Sequence, residues 1–409
     1  MKKAWHTKKL GDVTTKIGSG ATPLGGEEAY KTEGISLIRS LNVYDDGFRK
    51  AKLARVDDKQ ADGLSNVVVE PQDVLLNITG ASVARCCLAP ADYLPARVNQ
   101  HVSIIRPVKE KLDSAFLHYL LISKSYKDRL LHTGEEGGST RQAITKAQLQ
   151  EFVVAYPESL PEQQRIVGIL DDAFEGIATA TVNAEKNLCN ARALFESHLQ
   201  AVFSQRGKEW EEKTLGDVCE FENGDRGKNY PNRNEYVEFG IPWVNTGHIQ
   251  PDGTLSTEDM NFITREKFDS LRSGKIQPGD LVYCLRGATL GKTALVAPLT
   301  EGAVASSLVI VRPSSLLDSK FLYFFLTSPP GQGLIKGFEN GAAQPNLGAR
   351  SVAKYPIAIP PVIDQRRIAE KLMGLRNNTQ RLQSIYQQKL AALNELKKSL
   401  LHQAFTGQL

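Results

Sequence analysis

The sequence is thin in the residues that metal and nucleophile chemistry draws on. Its 409 residues include seven histidines, five cysteines and three methionines. The histidines are scattered, with no HExxH pairing, and a zinc-hydrolase reading has nothing to stand on. The cysteines are Cys86, Cys87, Cys189, Cys219 and Cys284. Their number is odd, two are adjacent and no CxxC spacing occurs, so reduced thiols are expected rather than a disulfide framework or metal site. No apolar run reaches membrane-spanning length, which excludes a transmembrane helix. The start, MKKAWHTKKLGD, has lysines without the apolar stretch of a signal peptide. The expected location is cytoplasmic, with no membrane partner.

Catalytic signatures are missing as well. Gly287-Ala288-Thr289-Leu290-Gly291-Lys292-Thr293 resembles a phosphate-binding loop, but only three residues separate its glycines where four are needed. A tight turn between two strands is the simpler expectation. The Pro-Pro pairs, Pro329-Pro330 and Pro360-Pro361, lack the flanking residues of an amino-methyltransferase motif. There is no strand-linked GxGxxG and no GxSxG elbow. Glu211-Glu212-Lys213 has the letters of a nuclease cluster but precedes any predicted strand. The chain is therefore expected to bind no cofactor and to be non-catalytic. Its rivals are a self-contained methyltransferase or ATPase and a purely structural scaffold.

What is present is repetition. WHTKKLGDV (5–13) faces WEEKTLGDV (210–218), EPQDVLLNITGAS (70–82) faces QPGDLVYCLRGAT (277–289), and DSAFLHYLLIS (113–123) faces DSKFLYFFLTS (318–328). PEQQRIVGIL from Pro161 faces IDQRRIAEKL from Ile363. Matched blocks in one order imply a duplicated unit of roughly two hundred residues. Short β-branched runs bounded by Gly, Asp and Pro predict a mixed α/β part in each copy. FLHYLLISKSYKDRLL and FLYFFLTS each predict one helix. The expected fold class is α+β: two mixed α/β domains joined by two long helices, an internal tandem repeat with pseudo-twofold symmetry. The expected boundaries are 1–157, 158–206, 207–359 and 360–409.

The two long segments have a seven-residue apolar register. In the first it runs through Ile166, Ala173, Ala180 and Leu194, and through Leu170, Ile177, Ala184 and Ala191. In the second it runs through Ile368, Leu375, Leu382 and Leu396, and through Leu372, Tyr386, Leu393 and Leu400. That is the pattern of a coiled-coil seam. Alanines on one seam against larger residues on the other favour mutual packing. Asn187 and Lys389 fall at equivalent seam positions, where polar residues fix register or face a partner. At 1.5 Å rise, each helix would be roughly 60–65 Å long.

Binding has positive support. The net charge of +4 is mildly basic and permits a nucleic-acid partner. Polar Gly-rich loops recur at 18–26 and 223–233, the second carrying Arg226, Lys228 and Arg233. Arg39, Asn42, Arg85, Asn99, Gln100 and His101 fall in loop-like places of the first copy. Asn245, His248, Arg286, Lys292, Gln344 and Asn346 do so in the second. Arg, Asn and Gln can read base edges bidentately. Scaffold blocks that match, with loops that differ, suit two heads that bind two different short DNA sequences.

On the W-x-x-K-x-L-G-D-V starts, the NGDRGKNYP loop, the PEQQRIV and IDQRRIA helix starts and the terminal SLLHQAFTGQL, the chain resembles the specificity subunit of type I restriction–modification enzymes. The resemblance covers nearly the whole length. It implies two target recognition domains, each binding one half of a bipartite double-stranded DNA site. It implies that the two long helices form an antiparallel coiled coil that sets the spacer. Two methyltransferase subunits would dock on it and use S-adenosylmethionine, with restriction subunits, driven by ATP and Mg, as further partners. It also leaves room for a subunit that serves a methyltransferase alone. The loop at 223–233 would face DNA.

Overall fold

The computed structural model describes residues 5–23, 25–135, 143–205, 207, 209–338 and 346–409. The chain divides into two compact units: residues 1–184 with 388–409, and residues 185–387. Each unit thus takes part of both long helices, Leu160–Ser204 and Val362–Phe405.

Unit one is built on an antiparallel sheet in the order Thr14–Ser19, Val102–Pro107, Val74–Asn77, Cys86–Leu88. Its strands are runs of buried Val, Leu and Ile, with Val74, Leu75, Leu76, Ile104 and Ile105 inaccessible, as fits strands covered on both faces. A second sheet orders Ala54–Val56, Ile35–Ile38, Ala96–Val98 and Val68–Val69, with one parallel pair between Ile35–Ile38 and Ala96–Val98. Trp5–Lys9 pairs antiparallel with Val153–Pro157, so the start of the unit closes on the strand before the first long helix.

Unit two repeats this plan. Its first sheet orders Cys219–Asn223, Leu308–Pro313, Leu281–Cys284 and Thr293–Leu295. A three-stranded sheet holds Asn261–Ile263, Ile241–Val244 and Ala303–Val304, again with one parallel pair. Glu211–Thr214 closes on Pro356–Ile359.

Buried polar joints repeat with the same geometry. Arg106 clamps Asp73 through Nε (2.7 Å) and Nη2 (2.8 Å). Arg312 clamps Asp280 at 2.9 and 2.8 Å. In each pair the side chain of the aspartate is 1 % exposed. Among the letters that the two helix starts share is a glutamine, Gln163 or Gln365, with no exposure at all. Gln163 Oε1 accepts from Asp113 N–H (2.8 Å), while its Nε2 donates to the carbonyls of Lys111 and Pro157. Gln365 does the same with Asp318 N–H and the carbonyls of Leu316 and Pro360. One amide side chain therefore pins the start of each long helix to the loop at 111–113 or 316–318.

The helix expected across FLHYLLISKSYKDRLL is two, Ser114–Ile122 and Lys124–Glu135. Ser123 takes an extended backbone and its Oγ donates to the Leu120 carbonyl (2.6 Å), ending the first helix. Ser328 makes the same break in unit two. Serine competes for helix carbonyls in this way.

In unit one, Ile166 and Leu170 of the first long helix share a core with Leu401 and Ala404 of the second. In unit two, Leu199 shares a core with Ala369 and Leu372. Start meets end in both, so the pair is antiparallel. Ile166, Leu170, Ala184, Ala191 and Leu372 are buried, and Ala173, Ile177, Ala180, Ile368, Leu375, Tyr386, Leu393 and Leu400 are half-buried. Three expected seam residues are not in it: Leu194 is 52 %, Leu382 40 % and Leu396 47 % exposed. Asn187 and Lys389 are also exposed. A seven-residue repeat drifts by about 20° per heptad on a helix of 3.6 residues per turn. The covered stripe moves one residue on, to Leu188, Phe195 and Val202 and to Gln383, Leu390 and Lys397. The antiparallel run expected from the resemblance joins the start of one helix to the end of the other.

Candidate nucleic-acid interface

Each unit opens a polar cleft beside the same turn of its main sheet. In unit one the turn is Gly80–Ser82, after strand Val74–Asn77; in unit two it is Gly287–Thr289, after Leu281–Cys284. Gly80 and Gly287 both have φ +73°, a left-handed conformation that favours glycine. The chain returns as an antiparallel strand in both cases. The residues 287–293 that mimic a phosphate loop therefore form a strand-to-strand turn, held by Cys284 Sγ and Thr289 Oγ1 at 3.2 Å.

The cleft of unit one, about 420 Å³, is lined by Ser40, Tyr44, Thr79, Ser82, Arg85 and His101 among others. The Arg85 guanidinium lies 4.6 Å from the Tyr44 ring centroid, which holds a flexible cation in place. The Gln100 amide nitrogen is 3.1 Å from His101 Nε2. An amide nitrogen can only donate, so Nε2 accepts, Nδ1 carries the proton and Thr79 Oγ1 receives it. Gln100 Oε1 in turn accepts from Thr22. His101 is thereby held in an ordered polar row. Arg39 sits at the entry to the turn Ser40–Asn42, donating to the Lys52 carbonyl at 2.8 Å and lying over Tyr30.

The cleft of unit two, about 610 Å³, is lined by Asp225, Arg226, Arg272, Arg286 and Asn346 among others. Asp225 is 3 % exposed. Its carboxylate accepts from Arg272 N–H (2.9 Å), Arg226 N–H (2.6 Å) and Arg272 Nη2 (3.2 Å). The Arg272 backbone N–H is the largest cause that holds this carboxyl below its usual range. One carboxylate, bonded to the Arg272 guanidinium alone, in a cleft that also holds Arg226 and Arg286 leaves a site suited to phosphate oxygens and base edges. Gly224 brings the loop in: a Cβ there would meet the Val304 and Ala305 carbonyl oxygens at 2.5 Å.

The candidates do not all converge. Arg85 and His101 come together in the first cleft, with Gln100 bonded to His101; Arg226, Arg286 and Asn346 come together in the second. Lys228 and Arg233 are exposed on the loop after Gly224. Lys292 lines a different cavity of the same unit. Asn245 caps its own turn, accepting from Gly247 N–H at 2.8 Å. Gln344 lies outside the described residues. Three candidates are corrected outright. Asn42 is fully buried, its amide given to the Arg49 and Ala51 carbonyls. Asn99 is 4 % exposed and accepts from His101 N–H. His248 is 4 % exposed: Nδ1 accepts from Asn245 N–H and Nε2 donates to the Asp259 carbonyl, and burial pushes its pKa down. Short polar side chains that cap tight turns look the same in sequence as those that bind. Arg272 was missed because nothing in LRSGK marks it; only the fold sets it beside Asp225.

Two heads of one design, each with a cleft bearing arginine, and a pair of antiparallel helices define a duplicated binding scaffold. The chain matches the model of the type I restriction modification DNA specificity domain twice, over residues 2–187 and 207–390, and it belongs to that family. Its function is accordingly that of a specificity subunit of a type I restriction–modification system. Among its relatives is the type I restriction enzyme MjaVIII specificity subunit of Methanocaldococcus jannaschii, 20 % identical over 424 residues, covering 99 % of this chain and 93 % of the relative. The EcoBI specificity subunit of Escherichia coli is 20 % identical over 83 % of this chain and 74 % of its own. In fold, the chain is similar to the HsdS subunit of Thermoanaerobacter tengcongensis (TM-score 0.64, 19 % identity, 99 % of this chain and 97 % of that one). It is also similar to a chain from a study of complex assembly in the type I restriction–modification system (TM-score 0.73, 17 % identity, 99 % and 98 %). Among the described residues no helix is long and apolar enough to cross a membrane.

Proposed function

We propose that residues 1–157 and 207–359 are two target recognition domains that each bind one half of a bipartite double-stranded DNA site. Residues 158–206 and 360–409 are the paired helices that set the spacer between the halves. The chain catalyses nothing itself. Two methyltransferase subunits dock on it and supply S-adenosylmethionine chemistry; restriction subunits that use ATP and Mg complete the complex, in the cytoplasm.

One observation carries this reading. The two units share their buried joints, down to the hydrogen bonds of Gln163 and Gln365, while the clefts beside Gly80 and Gly287 are lined by unlike side chains. A shared frame with divergent reading surfaces suits two different half-sites. Arg226, Arg272, Arg286 and Asn346 contact the half-site of unit two; Arg85 and His101 contact that of unit one. The test is binding of the chain, with its methyltransferase partner, to split-site and random duplexes at several salt concentrations. Preference for one two-part site, weakening steeply with salt, is expected. Equal affinity for all duplexes would sink the proposal.

A further inference from the structure

We infer that a cavity in unit two, beside Arg376, is a binding site for a small organic carboxylate. The cavity holds about 850 Å³, within the range of small-molecule sites. Arg376 lies in its wall and is only 8 % exposed. One guanidinium N–H donates to Tyr323 Oη at 3.2 Å, and the group lies 5.4 Å from the centroid of that ring. Among the described residues it has no other side-chain acceptor and no ion-pair partner. Its other guanidinium N–H groups, set in the cavity wall, call for an acceptor, and a carboxylate offers two oxygens to such a fork.

The scaffold itself does not require this arginine. The equivalent position in unit one (376 − 202 = 174) is Phe174. There the ring is covered by Lys397 Nζ at 4.9 Å and packs on Tyr119 at 5.5 Å between centroids. Unit one thus fills the place with aromatic packing, where unit two opens it and sets a charge in the wall.

The rest of the lining selects the ligand. Phe195, Leu199 and Phe324 give an apolar wall, and Lys292 adds a second cation. Two carboxylates also line the cavity: Glu196, which is exposed, and Asp252, which accepts from Thr254 N–H (3.0 Å) and Thr254 Oγ1 (2.6 Å) and acts on Arg376 through space, leaving its guanidinium N–H groups open to a ligand. A planar guanidinium fork beside an apolar wall matches a carboxylate on a hydrocarbon body better than a free inorganic anion.

The test uses the full chain and benzoate, titrated by calorimetry at constant ionic strength, with the neutral isostere benzamide and inorganic phosphate as comparisons. Saturable benzoate binding is expected, at least tenfold tighter than benzamide. Arg376→Gln should weaken benzoate tenfold or more. Because that change could also disturb the fold, Gln380→Glu is the second variant. Gln380 lines the same cavity one helical turn on, where a carboxylate can pair with Arg376. It should keep the chain folded and weaken benzoate by a similar factor. No benzoate binding, equal binding of benzamide, saturation by phosphate alone, or benzoate affinity unchanged in both variants would each overturn the assignment.

Discussion

Unit one and unit two hold the same polar skeleton and differ where solvent reaches. Arg106 with Asp73 and Arg312 with Asp280 agree to within a few tenths of an ångström. Beside the equivalent turns, unit one places one arginine stacked on Tyr44 and a histidine, while unit two places three arginines and one buried aspartate in one cleft. A buried polar group must find its partner inside the fold, so a second copy can change one member only at the cost of an unpaired charge. A cleft residue has water as an alternative partner. The comparison therefore separates what the frame needs from what recognition uses.

The sharpest way to break the comparison is to remove one arginine of each joint. Arg106→Ala and Arg312→Ala should each cost about 3–5 kcal/mol, because a buried carboxylate loses its partner. Urea denaturation read by hydrogen exchange, which reports each unit separately, should show the loss in the mutated unit. A large gap between the two variants would mean that the frames are not equivalent. Next come Gln163→Leu and Gln365→Leu. Each leaves one N–H and two carbonyls without their partner, for an expected loss of about 2–3 kcal/mol and faster exchange at the start of the corresponding long helix.

The reading surfaces should respond separately. Arg286→Ala should weaken DNA binding by about 1–3 kcal/mol and relax preference in one half-site only; Arg85→Ala should do so in the other. Competition assays with duplexes altered in a single half would show it, and a loss spread over both halves would undo the assignment of one cleft to each half-site. Acid should act on unit two. The carboxyl of Asp225 has a depressed pKa, so its stabilising effect on the cleft is full above the ordinary aspartate range, near about 4. That effect is lost as pH falls through the lower folded value. Asp225→Asn should lessen that acid sensitivity in the exchange of the Arg226 and Arg272 amides. The smallest effect concerns the helices. Leu194→Ala, at an exposed position, should stay within about 0.5 kcal/mol in thermal denaturation.

Much of the frame was legible in the residues. The offset between Trp5 and Trp210, and that between the two glutamine-bearing helix starts, announced a duplication; β-branched runs marked the strands that the sheets contain. The seam was legible for its first turns and then lost, because a strict heptad is only a local approximation to a 3.6-residue helix. The clefts were the least legible. Asn42, Asn99 and His248 had the composition of a binding loop and turned out to be turn caps or buried supports, whereas Arg272 had no signature at all.

The sequence alone determined that there are two copies and that each carries a long helix, because periodicity and matched blocks are properties of the chain read in order. Only the tertiary structure decided which residues of the two helices meet within each unit, and which arginines share a cleft. It alone set Arg376 in the wall of a cavity while its counterpart Phe174 is packed under other side chains. Those outcomes depend on which distant residues meet and on what remains to satisfy a buried charge, and neither is written in any local stretch of the sequence.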